Sequence, residues 1–413
     1  MAGGVVIVGA GEAGVGAAFA LRANGFAGAV TLIGEETEIP YERPPLSKQV
    51  LGGGALKPIR AEADYHTADI ALISGRKVRR LHRDTHEVEF GGGDRLAYDR
   101  LLLATGAAPR RLAVPGAEQG PIHYLRDARD AFALRAALGP TRRLAIVGGG
   151  LIGLEVAAAA RALGAAVTVL EAGPRLLGRG VPVEMAEVLT RTHRDNGVRL
   201  EVDRHLAEIV WRGGVAELVC TDGSGTLADL VVVAIGVVPR TELAAEAGLA
   251  LDNGIAVDAE LRSSDATIYA AGDCCSVPHP LFDGRRLRLE SWQNAQELGQ
   301  LAALNLMGGR QSVEHVPWMW SDQYELGLYI AGMPTAGTVT VARSDAHRRL
   351  LFHLDAAGRL VGASGIGPAS AASRDIRIAQ RLIARRAAPD PALLADPAAS
   401  LKALLSPLLA SAG

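Results

Sequence analysis

The chain has 413 residues, 49% of them hydrophobic, which is enough for two or three domains with separate cores. Its formal net charge of −2 excludes the strongly basic balance of proteins that neutralise nucleic-acid phosphates. We therefore expect no nucleic-acid partner.

Cysteine usage and hydropathy indicate where the protein works. The three cysteines, Cys220, Cys274 and Cys275, are too few and too unevenly spaced for a secreted disulfide framework. They also lack histidines at ligand spacing, so we predict no metal site. No apolar run reaches the roughly 20 residues that a membrane span needs, and the N-terminus lacks the features of a signal peptide. These patterns predict a cytoplasmic protein without membrane association.

The N-terminal stretch has the pattern of a dinucleotide-binding unit. The apolar strand candidate VVIV precedes Gly9, Gly11 and Gly14 at GxGxxG spacing, and an alanine-rich helix pattern leads to a second strand that ends at Glu35. In such a unit the glycines permit a tight turn, the approach of a pyrophosphate and close helix–strand packing. The helix N-terminus supplies N–H donors, and the carboxylate accepts hydrogen bonds from an adenosine ribose.

A second stretch repeats the same order. RLAIV precedes Gly148, Gly150 and Gly153, and a helix pattern leads to AVTVL, which ends at Glu171. One such motif is a weak signal in a chain with 49 glycines, whereas two complete units are a strong one. They predict two dinucleotides, so that electrons can pass between a nicotinamide and a flavin. Glu171 favours NADH because it repels a 2′-phosphate, although the nearby Arg175 keeps NADPH use open.

Between the two units lies IPYERPPLSK, residues 39 to 48, which contains no cysteine. Two-dinucleotide flavoproteins that reduce disulfides need a reactive cysteine pair beside the flavin, because a thiolate is the working nucleophile. Peroxidases and coenzyme A disulfide reductases of this type would need at least one cysteine there. We therefore expect the electrons to leave for an acceptor outside the chain.

The C-terminal region reads as strands followed by a helix. GTVTVAR, RRLLFHLD and GRLVGASGIG are strand candidates, and a helix begins at about Ser373. Arginines three and four positions apart form one stripe on this helix, the arginine stripe: Arg374, Arg377, Arg381 and Arg385. Ile376, Ala379 and Ile383 lie roughly opposite and would face the core. The stripe is either a solvated face or a docking patch for an acidic partner.

Motifs along nearly the whole chain carry a family resemblance. They are VGAGEAG, PYERPPLSK, LLLATGAAPR, GGGLIGLEVAA, VVVAIGVVPRTELA, IYAAGDC and PWMWSDQYE. The chain resembles the FAD-dependent, NADH-using ferredoxin reductases that serve Rieske-type oxygenases and haem-thiolate monooxygenases, the putidaredoxin reductase group. The resemblance implies an α/β fold of glutathione-reductase type, with two Rossmann-like dinucleotide-binding domains and a small α+β C-terminal domain. It divides the chain into an FAD domain (1–108 and 240–318), an NAD domain (109–239) and a C-terminal domain (319–413).

The resemblance also implies the cofactor contacts. Beyond the first glycine set, the residues implied for FAD are Glu35, Arg43, Lys48, Val78, Arg126, Asp273 and Trp292. Beyond the second set, those implied for NAD are Glu171 and Gly236. Asp273 ends an apolar strand, where a carboxylate can bond the ribityl hydroxyls.

Three residues are implied for catalysis. The resemblance places Lys48 near the flavin N5 edge, paired with Glu155, and Trp320 close to the flavin. An ammonium there would favour the negative charge of reduced flavin, and Glu155 would hold the lysine as the nicotinamide enters. Two alternatives stay open: Glu155 as a first-turn helix acid favoured by the dipole, and the WMW stretch as an aromatic anchor in the core.

The implied function is electron transfer from NADH through FAD to a small acidic [2Fe–2S] ferredoxin that feeds an oxygenase. The alternatives are an NADH oxidase or monodehydroascorbate-type reductase, and an apoptosis-inducing-factor-like flavoprotein that mainly binds partners. The oligomeric state, monomer or homodimer, stays open. Two features depart from the family or add to it: Arg240 stands where asparagine is frequent, and Cys274-Cys275 are expected to be buried packing residues.

Overall fold

The structure is a computed structural model and describes residues 4–345 and 347–405. The chain forms two compact units, each discontinuous in sequence. The first unit contains the residues up to Arg43, then Leu56–Ala108 and Val238–His315. The second contains Pro44–Ala55, Pro109–Val237 and the chain from Val316 onward. The division into an FAD, an NAD and a C-terminal domain stays a prediction.

The elements follow in chain order. Residues 4–109 contain β1 (Val5–Val8), α1 (Glu12–Ala23), β2 (Val30–Ile33), α2 (Glu62–Thr67), β3 (Ile70–Ile73), β4 (Val78–His82), β5 (Glu87–Phe90), β6 (Arg95–Ala97), β7 (Arg100–Leu103) and β8 (Ala107–Pro109). Residues 110–239 contain β9 (Ile122–His123), α3 (Ala128–Ala137), β10 (Arg143–Val147), α4 (Leu151–Ala162), β11 (Ala166–Leu170), α5 (Val183–Asp195), β12 (Arg199–Glu201), β13 (Leu206–Arg212), β14 (Val215–Cys220), β15 (Gly225–Ala228), β16 (Leu230–Val233) and β17 (Val237–Pro239).

The rest of the described chain completes both units. Residues 240–315 contain α6 (Glu242–Glu246), β18 (Ile255–Ala256), β19 (Ile268–Ala270), β20 (Cys275–His279), β21 (Arg285–Leu287) and α7 (Trp292–Leu306). Residues 316–405 contain β22 (Trp318–Gln323), β23 (Leu326–Gly332), β24 (Val339–Ser344), β25 (Arg349–Leu354), β26 (Leu360–Pro368), α8 (Ser373–Ala384) and α9 (Pro391–Ala395).

A parallel five-stranded sheet organises the first unit, in the order β19-β7-β1-β2-β3. All four residues of β1 are buried, as its uninterrupted apolar sequence requires for a central parallel strand. Helix α1 packs along α7, and an antiparallel sheet, β4-β5-β6, completes the unit together with the smaller sheet β18-β20-β21. The carboxyl ends of β1, β2 and β19 therefore lie at one edge of the same sheet.

The second unit repeats this arrangement around β10. Its parallel sheet has the order β12-β11-β10-β16-β9, and β13-β14-β15 form the accompanying antiparallel sheet. The strand–glycines–helix–strand repeat seen in the sequence is therefore a repeat in three dimensions. The α/β fold with two Rossmann-like units is confirmed.

The C-terminal part of the second unit is an antiparallel sheet with the order β22-β23-β26-β25-β24. The three predicted strands are β24, β25 and β26. Helix α8 begins at Ser373, as predicted, and packs on β23 and β26. Its Ile376, Ala379 and Ile383 are buried, while all four arginines of the stripe are exposed.

A glycine lets α1 and α7 approach closely. A Cβ on Gly299 of α7 would lie 2.2 Å from the carbonyl oxygen of Ala13 in α1. Real side chains do not tolerate such a contact, so an alanine there would force the two helices apart. Gly16, also in α1, would place its Cβ 3.6 Å from the nearest atom, which is ordinary van der Waals contact.

We expect Gly299→Ala to lower the free energy of unfolding by about 2 kcal/mol, because overpacking of a closed contact costs roughly 1–3 kcal/mol. Gly16→Ala is the matched control and should be neutral or stabilising, since alanine is the better helix former by about 1 kcal/mol. Thermal unfolding of the two variants and the parent measures the difference. Equal midpoints for the two variants would show that the helix contact does not depend on glycine.

Candidate active site

The turn between β1 and α1 admits a ligand at one of its three glycines. A Cβ on Gly9 would lie 2.1 Å from the carbonyl oxygen of Ala104, and one on Gly14 would lie 1.8 Å from that of Gly9. The protein's own packing therefore requires both. A Cβ on Gly11, by contrast, would meet no atom of the described residues within 4 Å. This open space lies outside a helix N-terminus, where N–H groups lack intrahelical partners, and it fits a dinucleotide pyrophosphate.

The second unit has the same glycine turn between β10 and α4. We call these two turns the nucleotide cradles. A Cβ on Gly148 would lie 2.5 Å from the carbonyl oxygen of Ala234, and one on Gly153 would lie 2.2 Å from that of Gly148. At Gly150 the described part of the chain leaves 4 Å clear around a Cβ. Both units therefore keep open the one glycine position at which a pyrophosphate would approach.

Glu35, which follows β2, is held by two cations. Lys77 Nζ lies 2.7 Å from its Oε1, and Arg240 Nη1 lies 2.8 Å from its Oε2. Burial alone would raise the pKa of Glu35, but the hydrogen bonds and charges of Lys77 and Arg240 outweigh it, so the pKa is lowered. Glu35 is a carboxylate at neutral pH, the form that accepts hydrogen bonds from ribose hydroxyls. Arg240, which departs from the family pattern, is therefore paired with Glu35.

Two further residues implied for FAD lie at the carboxyl edge of the same sheet or beside it. Asp273 lies in a short 3₁₀ turn, Gly272–Cys274, directly after β19. A Cβ on Gly272 would lie 3.1 Å from the Cβ of Ala13, so this turn reaches the first residues of α1. Trp292 is the first residue of α7, after the cap at Ser291. The first unit therefore gathers Asp273 and Trp292 near its glycine turn.

The remaining predicted FAD positions differ in their surroundings. Arg43 Nη2 donates to Glu36 Oε1 at 2.6 Å, so its guanidinium is already paired. Val78 is buried in β4. Arg126, in the second unit, lies just before the N-cap of α3, where its backbone N–H donates to Asp130 Oδ2 at 3.0 Å. Their contacts with FAD stay predictions.

Glu171 closes the second nucleotide cradle. Its two carboxylate oxygens accept backbone hydrogen bonds from Gly149 and Gly173, each at 2.7 Å. The guanidinium of Arg175 donates to backbone carbonyls of the following loop, among them that of Leu177 at 3.0 Å, so these N–H donors are engaged there rather than directed at a ligand phosphate. Gly236 has φ +100° and its carbonyl accepts from the N–H of Arg110. The preference for NADH over NADPH that Glu171 implies stays a prediction.

Lys48 and Glu155 form an ion pair in the second unit. Lys48 Nζ lies 3.2 Å from Glu155 Oε1, and the side chain of Glu155 is only 4% exposed. Two hydroxyls complete the carboxylate's surroundings: Ser321 Oγ donates to Oε1 at 2.5 Å, and Ser47 Oγ donates to Oε2. Glu155 is the fifth residue of α4, so it is a partnered buried ion rather than an acid of the first helical turn.

Ser47 and Ser321 were not identified from the sequence. Ser47 precedes Lys48 in the PYERPPLSK motif, and Ser321 follows Trp320 in PWMWSDQYE. Their positions inside two motifs were the available signal, but serine is too common in loops and strands to indicate a carboxylate partner by itself. The contact becomes visible only when β22 and α4 pack together.

The tryptophans of the WMW stretch divide between the two interpretations that the sequence left open. Trp318 is buried, and Arg377 places its guanidinium carbon 4.8 Å from the centre of its indole ring. Trp320 is only partly buried. Trp318 therefore provides the aromatic anchor. The role of Trp320 beside a flavin stays a prediction.

All three cysteines are buried and form no disulfide. Burial raises the pKa of Cys274 and raises that of Cys275 well above its ordinary value. Cys274 Sγ donates to the carbonyl oxygen of Leu103 at 3.4 Å. These side chains are packed thiols, and a thiol is not the reactive form. The structure thus offers no thiolate for disulfide chemistry among its cysteines.

The described residues contain neither a metal-binding cluster nor a membrane-spanning helix. Over 4–345 and 347–405, no cluster of three histidine, cysteine or acidic side chains is arranged to hold a metal ion. In the same part of the chain, no helix has both the length and the apolar character to span a bilayer.

Two dinucleotide cradles and a lysine paired with a buried glutamate define a two-dinucleotide flavoprotein reductase. Residues 3–299 match the family model described as pyridine nucleotide-disulphide oxidoreductase, and residues 318–405 match the one described as reductase C-terminal. The chain belongs to the pyridine nucleotide-disulphide oxidoreductase family. It is an oxidoreductase whose cofactors are FAD and NADH.

The similarity to known proteins covers almost the entire chain. The ferredoxin–NAD(+) reductase component of an anthranilate 1,2-dioxygenase system from Burkholderia cepacia is 43% identical, covering 97% of this chain and 98% of the relative. The corresponding component of a p-cumate 2,3-dioxygenase system from Pseudomonas putida is 41% identical, covering 96% and 97%. A solved putidaredoxin reductase, in covalent complex with putidaredoxin, superimposes with a TM-score of 0.91 at 34% identity, covering 98% of both chains. The resemblance seen in the sequence is confirmed.

We expect Glu171→Ala to reduce the preference for NADH over NADPH by about tenfold, because a like charge at contact distance costs about 1 kcal/mol in water and more near a protein surface. The measurement is kcat/KM for both nucleotides. Glu187→Ala, which removes an exposed acid from α5, is the control and should leave the ratio unchanged. Equal use of NADH and NADPH by the parent enzyme would contradict the assignment.

Proposed function

We propose that the protein passes electrons from NADH through FAD to a small acidic [2Fe–2S] ferredoxin, which in turn feeds an oxygenase in the cytoplasm. The observation that carries this proposal is the absence of a usable thiol. Residues 39–48 hold no cysteine, and all three cysteines of the chain are buried, which raises the pKa of each. Without a thiol relay, the electrons have to go to an external acceptor. The whole-length similarity to ferredoxin–NAD(+) reductase components supports an iron–sulfur acceptor.

FAD, when bound, supplies the conversion of one two-electron donation into two one-electron steps. The chain's part is to bind, orient and balance charge. The two glycine cradles hold the phosphates, and Glu35 and Glu171 select the riboses. Lys48 supplies a positive charge that favours the reduced ring, and Glu155 keeps that ammonium in place.

The arginine stripe supports an acidic partner. Three of its arginines are exposed on α8 and the fourth, Arg385, is exposed directly after it, whereas the acid of the same helix, Asp375, is directed to Arg348 at 2.5 Å. Asp375 therefore does not neutralise the stripe. Arg377 lies over Trp318, two residues from Trp320 on β22, which joins the stripe to the aromatic residue proposed for the flavin edge. A negatively charged ferredoxin that docks on the stripe would reach that edge of the sheet.

The proposal is tested by coupled turnover. The purified protein should carry one FAD per chain, bleach anaerobically with NADH, and reduce cytochrome c much faster when a small [2Fe–2S] ferredoxin is added. A preparation that binds no FAD would contradict the assignment of the first cradle. If no ferredoxin accelerates turnover beyond the rate with oxygen alone, the protein is an oxidase instead.

We expect reversal of Arg377 and Arg381 to glutamate to slow ferredoxin-coupled cytochrome reduction about tenfold at low salt, because opposite charges mainly speed encounter. The difference should shrink as salt rises beyond physiological strength, where charges are screened within about 8 Å. Anaerobic bleaching by NADH should not change.

The matched control reverses Arg129 and Arg199, which are 87% and 72% exposed on other elements. It changes the net charge by the same amount without touching α8. If both double variants slow coupled turnover equally, net charge alone matters. If neither does, the stripe is a solvated face and the ferredoxin docks elsewhere.

A further inference from the structure

A chain of buried hydrogen bonds leads away from Glu155 inside the second unit. Ser321 Oγ lies 2.5 Å from Glu155 Oε1, and Gln323 Nε2 lies 3.0 Å from Ser321 Oγ. His193 Nε2 lies 2.8 Å from Gln323 Oε1, and the Tyr324 hydroxyl lies 3.4 Å from His193 Nδ1. The chain joins α4, β22 and α5, and beyond Ser321 none of its members has been given a role in the site.

The hydrogen bonds all run in one direction. The carboxylate of Glu155 only accepts, so the Ser321 hydroxyl donates to it and accepts from the amide nitrogen of Gln323. The amide oxygen of Gln323 then faces His193, which must carry its proton on Nε2. Nδ1 of His193 is left as the acceptor for Tyr324. Rotating the amide of Gln323 by half a turn would instead direct the Ser321 hydroxyl away from the carboxylate.

Burial fixes this arrangement. Ser321 and Gln323 are 1% exposed and His193 is 0% exposed, so water cannot replace a lost partner. A buried donor or acceptor left without a partner costs about 1–3 kcal/mol. Burial also lowers the pKa of His193, against the hydrogen bond to Gln323, so the ring is neutral at pH 7. A neutral ring with one N–H is what the direction of the chain requires.

We propose that Ser321, Gln323 and His193 are positioning residues that hold the Glu155 carboxylate in the single orientation that seats the Lys48 ammonium. The inference rests on the proposed role of Lys48 and Glu155 and deepens it. Ser47 holds one carboxylate oxygen, while Ser321 and Lys48 share the other. Loss of the Ser321 hydroxyl would free the carboxylate to rotate and would displace the ammonium from its place.

The test compares buried serines of one sheet. Ser321→Ala removes the hydroxyl that donates to Glu155, and Ser364→Ala removes a fully buried hydroxyl of β26 that lies 3.4 Å from His353 Nε2. In the holoenzyme, stopped-flow measurement should show the limiting rate of flavin reduction by NADH falling about tenfold in Ser321→Ala. KM for NADH should stay within about twofold, and the absorption spectrum of the oxidised flavin should shift. Ser364→Ala should change none of these.

Gln323→Leu provides a second variant. It keeps Ser321 but removes the amide that orders the Ser321 hydroxyl. We therefore expect a smaller decrease in the limiting rate of flavin reduction and a smaller shift of the flavin spectrum. If both variants match Ser364→Ala in rate and spectrum, the positioning role is wrong. A variant that merely unfolds would lose FAD and lower the thermal midpoint, which the spectrum and a melt detect.

Variants of the ion pair separate the positioning role of Ser321, Gln323 and His193 from the proposed role of the pair itself. Lys48→Met and Glu155→Ala test the ion pair itself: if neither slows flavin reduction, the proposed role of the pair is wrong. If both slow it and Ser321→Ala does not, only the positioning role is wrong.

A readout independent of turnover is the tautomer of His193. ¹⁵N spectra of histidine-labelled holoenzyme, with His193→Gln to assign the signal, should show a neutral ring protonated on Nε2. A proton on Nδ1, or a charged ring at pH 7, would overturn the directed chain.

Discussion

Glu155 carries a charge that is almost wholly removed from water, and an ion in that position requires partners to be tolerated at all. The partners come from separate parts of the chain: Lys48 and Ser47 from the stretch between the two nucleotide motifs, and Ser321 from the C-terminal sheet. Satisfying one carboxylate therefore fixes how two segments of the second unit meet α4, which belongs to the third segment. The proposed chemistry uses the charge of this carboxylate, because its ion pair with Lys48 holds the ammonium in place and away from solvent.

The two units solve the same packing problem twice. In each, the first and third glycines of the motif are required by carbonyl oxygens of the protein itself, while the middle glycine faces open space. The difference between the units lies in the acid that follows. Glu35 is paired with the cations of Lys77 and Arg240, whereas Glu171 accepts hydrogen bonds from two backbone N–H groups. One geometry thereby serves two nucleotides with different electrostatic surroundings.

The sequence predicted what depends on local order. Strand, glycine and helix follow one another along the chain, so both nucleotide units and their acids could be identified from spacing, as could the exposed and buried faces of α8. The pairing of Lys48 with Glu155 came from the family resemblance, because the two residues lie 107 positions apart in the chain.

What the sequence could not reveal depends on tertiary contacts. Arg240 was recognised as a departure, but its partner Glu35 lies far away in sequence. Arg175 was counted as a cation for a phosphate, yet backbone carbonyls take its donors. Ser321, Gln323 and His193 are ordinary residue types without distinctive spacing, and only packing brings them into one hydrogen-bonded chain.

The discontinuity of the second unit has a consequence for its folding during synthesis. Residues 44–55 leave the ribosome early, α4 follows much later, and β22 is among the last elements to emerge. Because translation proceeds at about 5–20 residues per second, Glu155 exists for seconds before Ser321 is available. The nascent second unit must therefore wait, incompletely closed and with Glu155 lacking its Ser321 partner, until the C-terminal sheet arrives.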